Sequence, residues 1–386
     1  MIFVWYILLL ALIIVGMKFF GKGKWNDDVL SFDQTKAFLG FCAVLIVFHH
    51  MSHRTIANWI PPFVQRPGLA PFVYIGYLCV AAFFFCSGYG LYKSAKAKPG
   101  FFKRFPLRLI PIIIPFVITY AAYIIMMKVR NIPIVFPKFT AMGGPTTIHP
   151  YSWYIPCLIL MYLLFFFGFA FYKKDWFGIL IVIVGTFAYK VFCVRYLYGT
   201  WWYNTVHLFP IGIFFAKYEK SILNSLKRFY FVKLIIFFLI TAVTFAYGNY
   251  FYELAEMFKI KLGTGEKAYL MQQVPIYFAQ MISAITFCLF ILMLGLKIKI
   301  GNPVLKFFGK MTLEIYLVHG VFVHLFSFGL ITNDMRYKPL KYIKSVPLYI
   351  LVVLIVSIPV SFVIYLLDHK ISMLLLKKKK ESAKLN

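Results

Sequence analysis

The chain has 386 residues, of which 62% are hydrophobic and 14% are charged, and its formal net charge is +29. A soluble domain of this size carries about 25% charged residues and has no interior large enough for so much apolar surface, so this composition excludes a soluble protein. Runs near or above the roughly 18 apolar residues that cross a bilayer recur along the whole length. The sequence therefore predicts an all-α polytopic membrane protein.

Hydropathy predicts eleven spans, with short connections between them. They cover residues 2–20, 36–53, 70–92, 107–127, 152–172, 176–194, 203–217, 231–252, 270–295, 304–326 and 347–367. The first lacks a basic segment before it and a small-residue cleavage site after it, so we expect a retained helix and not a signal peptide. The seventh is short and contains Pro210, which predicts a tilted, kinked or broken helix.

The distribution of positive charge predicts the orientation. With the N-terminus outside and the C-terminus in the cytoplasm, the inner segments hold 27 of the 41 lysines and arginines. This bias agrees with the positive-inside rule, and an odd number of spans agrees with termini on opposite sides. Nucleic-acid binding would need a soluble basic face with interleaved aromatic residues, which the sequence lacks. The expected surroundings are therefore membrane lipids, with no nucleic-acid partner.

The second predicted span ends in a group of histidines. The apolar run 37–48 is followed by His49, His50 and His53. Ionisable groups within a span are costly and usually functional, and histidine is suited to proton transfer near neutral pH. The spacing also permits a metal, but no Cys, Asp or Glu lies nearby to complete such a site. The alternative is that His49 and His53 only mark the membrane interface.

Two further segments point to a ligand at the inner face. Lys103, Arg104 and Arg108 lie at the mouth of the fourth span, where a phosphorylated ligand would approach, although a topology anchor would look the same. Ser87 and Gly88 interrupt the apolar run 83–92, which favours either close helix packing or room for a ligand chain. The six cysteines show no CxxC spacing, so neither a disulfide framework nor a zinc knuckle is predicted.

Two motifs lie in the later spans. The segment 152–164 begins Ser-Trp-Tyr, and an aromatic belt at the outer interface explains Trp153 and Tyr154. The segment 309–320, GKMTLEIYLVHG, places Glu314 well inside a span, with His319 five residues further on. A carboxylate in that position needs a partner, for which a histidine or an arginine from another helix is the natural choice. A structural ion pair is the alternative.

The ordered motifs resemble those of the membrane-bound acyltransferase 3 family, which includes bacterial polysaccharide and cell-wall O-acetyltransferases. They are a glycine and an apolar run ending His-His, then FF-x-x-SGY, R-L-x-P, S-W-Y and T-L-E-x-Y-L-x-H. The resemblance covers roughly residues 30–368 and implies about ten core helices, which correspond to the second to eleventh spans. It divides the chain into an additional N-terminal helix and linker (1–30), an acyltransferase domain (31–370) and a basic cytoplasmic tail (371–386).

The resemblance also implies roles for individual residues. His50 matches the catalytic histidine, and Arg104 and Arg108 match the arginines that hold the phosphates of acyl-CoA. Leu39 stands where the family has a basic residue, and Lys36, one turn earlier, is the candidate to replace it. The two loop arginines are spaced one residue wider than in the family, so either Lys103 or Arg104 is a candidate for the phosphate contact.

The resemblance therefore implies an O-acyltransferase, most simply an O-acetyltransferase, and the predicted spans place it in the plasma membrane. Its donor is acetyl-CoA or another acyl-CoA from the cytoplasm, its acceptor is a hydroxyl of a polysaccharide or lipid-linked sugar, and no metal is expected. We expect His50 to act as general base, with Glu314 as the acidic partner that orients its imidazole and His49 as a further catalytic residue. Donor binding is assigned to Lys36, Ser87, Lys103, Arg104 and Arg108, and acceptor binding to His53, Trp153, Tyr154, Tyr316 and His319.

Two other classes of protein fit parts of the sequence. A secondary transporter or glycan-precursor flippase would use Glu314 and the histidines as a proton relay. Against it, the sequence contains no paired repeat and no second interrupted helix in a matching position. A sensor or scaffold would not need the basic residues at the inner mouth.

Overall fold

The structure is a computed structural model that describes residues 2–57, 66–135, 148–172, 174–326, 341 and 343–385. Residues 136–147 and 327–340, in the two longest predicted outer loops, lie outside the described part. The described residues form a helical bundle. Its helices are α1 Ile2–Ile14, α2 Phe32–His53, α3 Gly76–Ala97, α4 Ile110–Val129, α5 Tyr154–Ala170, α6 Asp175–Arg195, α7 Leu208–Lys227, α8 Tyr230–Asn249, α9 Phe251–Met257, α10 Glu266–Gly295, α11 Pro303–Lys310, α12 Thr312–Phe326 and α13 Val346–Leu385.

Short elements connect the helices. Six-residue and seven-residue 3₁₀ helices, Pro67–Phe72 and Phe102–Arg108, lead into α3 and α4. A further 3₁₀ turn, Thr200–Trp202, precedes α7. The strands β1 (Lys18–Phe19) and β2 (Ile298–Lys299) pair antiparallel, which ties the segment after α1 to the segment after α10.

Among the described residues, seven helical stretches are long and apolar enough to cross a membrane, and α1, α5 and α12 are shorter apolar helices. The predicted all-α membrane bundle is thus confirmed. Several predicted spans differ in detail from the observed helices. The first helix ends at Ile14, because the chain turns at Gly16 with a positive φ of 79° and then forms β1. The bend in α7 lies at Tyr218 and not at Pro210, which occupies the first turn, where a missing N–H costs nothing.

The tenth predicted span is two helices. Asn302 caps α11 by accepting a hydrogen bond from the backbone N–H of Leu305 at 2.9 Å. The backbone then leaves helical geometry at Met311, with φ −122° and ψ 34°, before α12 begins. This break gives α11 and α12 separate directions and lets α11 cross α2 closely.

The contact between α2 and α11 depends on two glycines. A Cβ at Gly40 would lie 2.5 Å from the carbonyl oxygen of Leu305, and one at Gly309 would lie 2.2 Å from that of Lys36. Neither distance is compatible with a side chain, because the opposing atoms belong to helix backbone. Close packing here therefore explains the glycine that precedes the histidine run, and it holds α2 against the α11–α12 unit that carries Glu314 and His319.

The bundle has two ends, which we name by the residues of α2. The Lys36 end carries ion pairs that connect helices far apart in the chain, such as Lys306 of α11 with Asp33 of α2 at 2.7 Å and Lys96 of α3 with Asp175 of α6 at 2.5 Å. The His53 end contains the starts of α3 and α7. Between the two ends lies a core rich in aromatic side chains.

Candidate functional site

His50 and His319 form a buried pair that joins α2 to α12. Their ring nitrogens Nδ1 of His50 and Nε2 of His319 are 2.7 Å apart, and the rings are nearly parallel, 9° between planes. The side chains are 8% and 0% exposed. The pair is built by helix packing, because the residues are separated by 269 positions in the chain.

The hydrogen bonds of this pair define which nitrogen of His50 is basic. Nδ1 of His319 lies 2.8 Å from the carbonyl oxygen of Ile315, one helical turn earlier, so it donates its N–H to that acceptor. In a neutral ring the other nitrogen then carries only a lone pair. Nε2 of His319 accordingly accepts from the Nδ1–H of His50. The remaining nitrogen, Nε2 of His50, is left with its lone pair and can receive a proton.

His49 and His53 have different surroundings from His50. Nδ1 of His49 donates to the carbonyl oxygen of Phe72 at 2.9 Å, and Nε2 of His53 to that of Val73 at 3.1 Å. The His49 ring also fills the space beside Gly76, where a Cβ would come within 2.3 Å of it. Both side chains therefore connect the residues just before α3 to the end of α2. Among the described residues, His50 makes no such contact with backbone and is directed at α12.

Further buried polar residues surround the pair. The ring of Tyr151 lies 4.1 Å from that of His50 and 5.5 Å from that of His319, measured between centroids. Nη2 of Arg54 donates to the ring of His324 at 2.9 Å. Close approach of Tyr151 requires Gly320, because a Cβ there would lie 2.2 Å from the tyrosine ring. The His53 end is thus a compact polar region inside an apolar bundle.

A cavity of about 410 Å³ opens in the Lys36 half of the bundle. Its walls come from α2, α3, α4, α5, α12 and α13. Six of the predicted site residues line it: Lys36, Ser87, Arg108, Tyr154, Glu314 and Tyr316. Two more cations or potential cations, Lys310 and His369, share its wall. The cavity is therefore mixed in character, with apolar side chains from α3 and α5 and positive charge from α2, the α3–α4 connection and the α11–α12 junction.

Tyr316 connects the cavity with the histidine pair. It lines the cavity, and its ring centroid lies 6.2 Å from that of His319 and 5.5 Å from that of Tyr154. The side chain is 4% exposed, and its hydroxyl has no hydrogen-bond partner among the described residues. A hydroxyl in that state is available to a ligand that enters the cavity.

The three basic residues before α4 differ in whether they line the cavity. Arg108 lines the cavity, and its guanidinium lies 4.3 Å from the ring centroid of Phe101, which holds it in place. Lys103 and Arg104 are exposed on the preceding 3₁₀ helix and are not part of the cavity wall. Of the three, Arg108 therefore lines the cavity and the other two do not, because a short 3₁₀ helix spreads successive side chains around its axis. The roles of Lys103 and Arg104 in donor binding stay predictions.

Glu314 does not have the predicted relation to His50. We expected its carboxylate to orient the imidazole, but the structure gives that contact to His319. Glu314 is 5% exposed and faces the cavity, as does Lys36. The reason is helical geometry: positions five apart lie about 140° apart around a helix, so Glu314 and His319 cannot share a face of α12.

The predicted location of Trp153 and Tyr154 is also wrong. Both are buried, at 8% and 6% exposure, and form no belt at a membrane interface. Trp153 packs against Trp202, with 6.1 Å between ring centroids, while Tyr154 faces the cavity. The bundle interior is wide enough at α5 to enclose both rings.

Sequence reasoning missed Tyr151, His324 and Arg54. Arg54 directly follows His53, and His324 follows His319 at five residues, so both lay beside residues already selected. A count of intramembrane ionisable groups would have found them, because each such group requires a partner. Among the described residues, no group of three or more His, Cys, Asp or Glu is arranged to hold a metal ion.

Comparison with known proteins gives one informative result. The model of the acyltransferase 3 family, described as an acyltransferase domain, matches residues 37–366. No curated protein and no solved structure matches the chain. The family match begins one residue after Lys36 and ends in α13, so it contains the histidine pair and most of the residues that line the cavity. Because it covers well over half of the sequence, the chain belongs to the acyltransferase 3 family and is a membrane acyltransferase.

Proposed function

We propose that the protein is an O-acyltransferase, most simply an O-acetyltransferase, which moves an acyl group from cytoplasmic acyl-CoA to a hydroxyl of a cell-surface or lipid-linked glycan. The observation that carries this proposal is the hydrogen-bonded sequence from Ile315 through His319 to His50. It supports a His50 Nε2 that is unprotonated and ready to remove a proton. In this role His50 is the general base and His319 is its positioning residue.

The donor enters from the Lys36 end in this proposal. The placement of Arg108 and Lys36 on the cavity wall supports contacts with the phosphates of acyl-CoA, while Lys103 and Arg104 would attract the anion from the surface. The volume of about 410 Å³ favours the thin pantetheine arm over the whole cofactor. Ser87 lies along this path, and the free hydroxyl of Tyr316 is the candidate donor of a hydrogen bond to the thioester oxygen.

The chemistry then takes place between Tyr316 and His50. Nε2 of His50 takes the proton from the acceptor hydroxyl as the oxygen attacks the thioester carbonyl carbon. The tetrahedral intermediate collapses with cleavage of the carbon–sulfur bond, and the leaving thiolate receives the proton from the imidazolium. The products are the glycan ester and CoA, and His50 returns to its starting tautomer, with Nδ1–H still donated to His319.

This scheme requires an orientation in the plasma membrane. The excess of lysine and arginine at the Lys36 end supports a cytoplasmic position for that end, with the N-terminus outside and the C-terminus inside. The acceptor would then reach His50 from the outer face. The division into an extra N-terminal helix (1–30), a catalytic domain (31–370) and a basic tail (371–386) stays a prediction.

The test compares neighbouring histidines on one helix. Purified wild-type protein should hydrolyse acetyl-CoA slowly, and cells that express it should carry acetylated surface glycan. His50→Ala should lower both by about 10²–10⁴-fold, because it removes the general base. His49→Ala is the matched control, since Nδ1 of His49 donates to the backbone carbonyl oxygen of Phe72 and the ring makes no hydrogen bond with the His50–His319 pair among the described residues, and it should retain most of the activity. Equal loss in the two variants, or no acetyl-CoA turnover by the wild type, would contradict the proposal.

A further inference from the structure

A second polar group lies in the His53 half of the bundle, away from the histidine pair and the cavity. Lys190 is on α6, fifteen residues beyond Asp175, which places it about 22 Å along the helix from the Lys36 end. Its Nζ lies 3.5 Å from Nδ1 of His207, at the start of α7, and 5.6 Å from the ring centroid of Tyr277. The ammonium group of Lys190 thus points towards the interior of the bundle, from a helix that is otherwise apolar.

This lysine has no acidic counterpart in the described part of the chain. The ion pairs found there, each with nitrogen and oxygen within 4.0 Å, involve other lysines. A charge inside a membrane protein without an opposite charge is costly, so such residues usually face a functional ligand. The contacts with His207, with Tyr277 and with Sδ of Met281 at 3.6 Å offer lone pairs and a ring face, none of which neutralises the charge.

Buried hydrogen-bond donors without acceptors lie on the chain segment 202–207, which ends at His207. Nε1 of Trp202, the hydroxyl of Thr205 and Nε2 of His207 are buried and make no hydrogen bond among the described residues. If Nδ1 of His207 accepts from Lys190, its Nε2 carries the hydrogen and is a donor as well. Trp202 and Thr205 are 2% and 0% exposed, so leaving their donors unpaired costs free energy. The group therefore combines positive charge with several unused N–H and O–H donors.

We propose that Lys190, Trp202, Thr205 and His207 form a binding site for a negatively charged oxygen group of the acceptor, either a phosphate or a carboxylate. Such a group supplies both the missing negative charge and several acceptor oxygens. The inference rests on the proposed function, in which the acceptor reaches the His53 end from outside. It deepens that function by naming the acceptor class: an anionic glycan or a phosphate-linked lipid–glycan, and not a neutral sugar.

The test measures binding and requires no turnover, so its result is independent of the proposed reaction. Full-length protein in phosphatidylcholine nanodiscs is titrated with dodecyl phosphate, dodecyl β-D-glucuronide and the neutral dodecyl β-D-glucoside, and the melting temperature is followed. We expect at least one anionic probe to stabilise the wild type more than the glucoside does. Stabilisation by the phosphate alone indicates a phosphate-linked lipid, and stabilisation by the glucuronide indicates a carboxylate on the sugar.

Lys190→Gln should weaken binding of the stabilising anion by roughly tenfold to a hundredfold, the loss that one charge-assisted contact represents. Lys128→Gln is the matched control, because Lys128 is exposed near the His53 end of α4 and the charge change is identical. If Lys190→Gln does not melt cooperatively, Thr205→Val, which keeps the side-chain shape, should weaken binding by a smaller factor. Equal anion binding in the wild type and these variants, or no preference of the wild type for anions over the glucoside, overturns the inference.

Discussion

Replacement of His319 gives the sharpest test of how His50 is prepared for catalysis. His319→Ala removes the only hydrogen-bond acceptor that the structure gives to Nδ1 of His50. The catalytic tautomer then has a buried N–H without a partner, because the side chain of His50 is 8% exposed. Leaving such a donor unsatisfied costs about 1–3 kcal/mol. The ring therefore favours the other tautomer, in which Nε2 carries the hydrogen and cannot act as a base.

That free energy converts directly into a rate. A cost of about 1–3 kcal/mol corresponds to a decrease in kcat of about fivefold to 150-fold, smaller than the loss expected for removal of the base itself. The KM for acyl-CoA should stay close to the wild-type value, because His319 is not part of the cavity wall. His319→Gln should recover much of the loss, since its amide oxygen extends to about the position of Nε2 and can accept the same hydrogen bond.

The assay is steady-state acetyl-CoA turnover by purified protein, with kcat and KM determined separately for His319→Ala and His319→Gln. Melting temperatures measured on the same preparations show whether a variant has simply lost folded protein. A purely structural role for His319 would lower the melting temperature and spare the kcat of the folded fraction. An unchanged kcat in His319→Ala, or a glutamine variant no better than the alanine variant, would refute the proposed tautomer control.

Two other predictions follow from the packing and from the cavity. Arg108→Ala should raise the KM for acyl-CoA by roughly tenfold to a hundredfold, because it removes a charge from the cavity wall. Arg104→Ala, which removes an exposed charge, should raise the KM by no more than about fivefold. Equal effects in steady-state kinetics would show that a position on the cavity wall does not decide which arginine binds acyl-CoA. Gly40→Ala should lower the melting temperature, because its Cβ would meet the carbonyl oxygen of Leu305 at 2.5 Å and such overpacking costs about 1–3 kcal/mol. Gly90→Ala is the matched control within another helix, where a Cβ meets nothing within 4 Å, and it should be neutral or stabilising by up to about 1 kcal/mol. A similar melting temperature for both glycine variants would mean that α2 and α11 do not pack as described.

The sequence alone determined the class of protein and its family. Apolar runs and charge asymmetry are properties of consecutive residues, and their effect on membrane insertion does not depend on which helices touch. The spans were therefore predictable, apart from features produced by packing, such as the break between α11 and α12 at Met311. The order of the motifs was equally available, which is why the acyltransferase 3 family could be identified before any geometry.

Only the tertiary structure decided which side chains act together. The residue pattern offered three neighbouring histidines, and only the resemblance to the family selected His50. The structure gives the physical difference, because the rings of His49 and His53 donate to backbone near α3 while His50 contacts α12. The structure likewise shows that His319, and not Glu314, contacts His50. It also places Arg108 on the cavity wall, unlike its two basic neighbours.

The contact between Lys190 and His207 is another feature that the packing decides and the sequence does not predict. Each is a single polar residue next to an apolar run, and nothing in the local pattern indicates that they are 3.5 Å apart. Contacts of this kind depend on the crossing angle and rotation of whole helices, which are set by close approaches such as that of Gly40 to the backbone of α11. Those close approaches join residues that are far apart in the chain. Consecutive residues therefore determine where the helices form, and the packing of the helices determines which side chains meet.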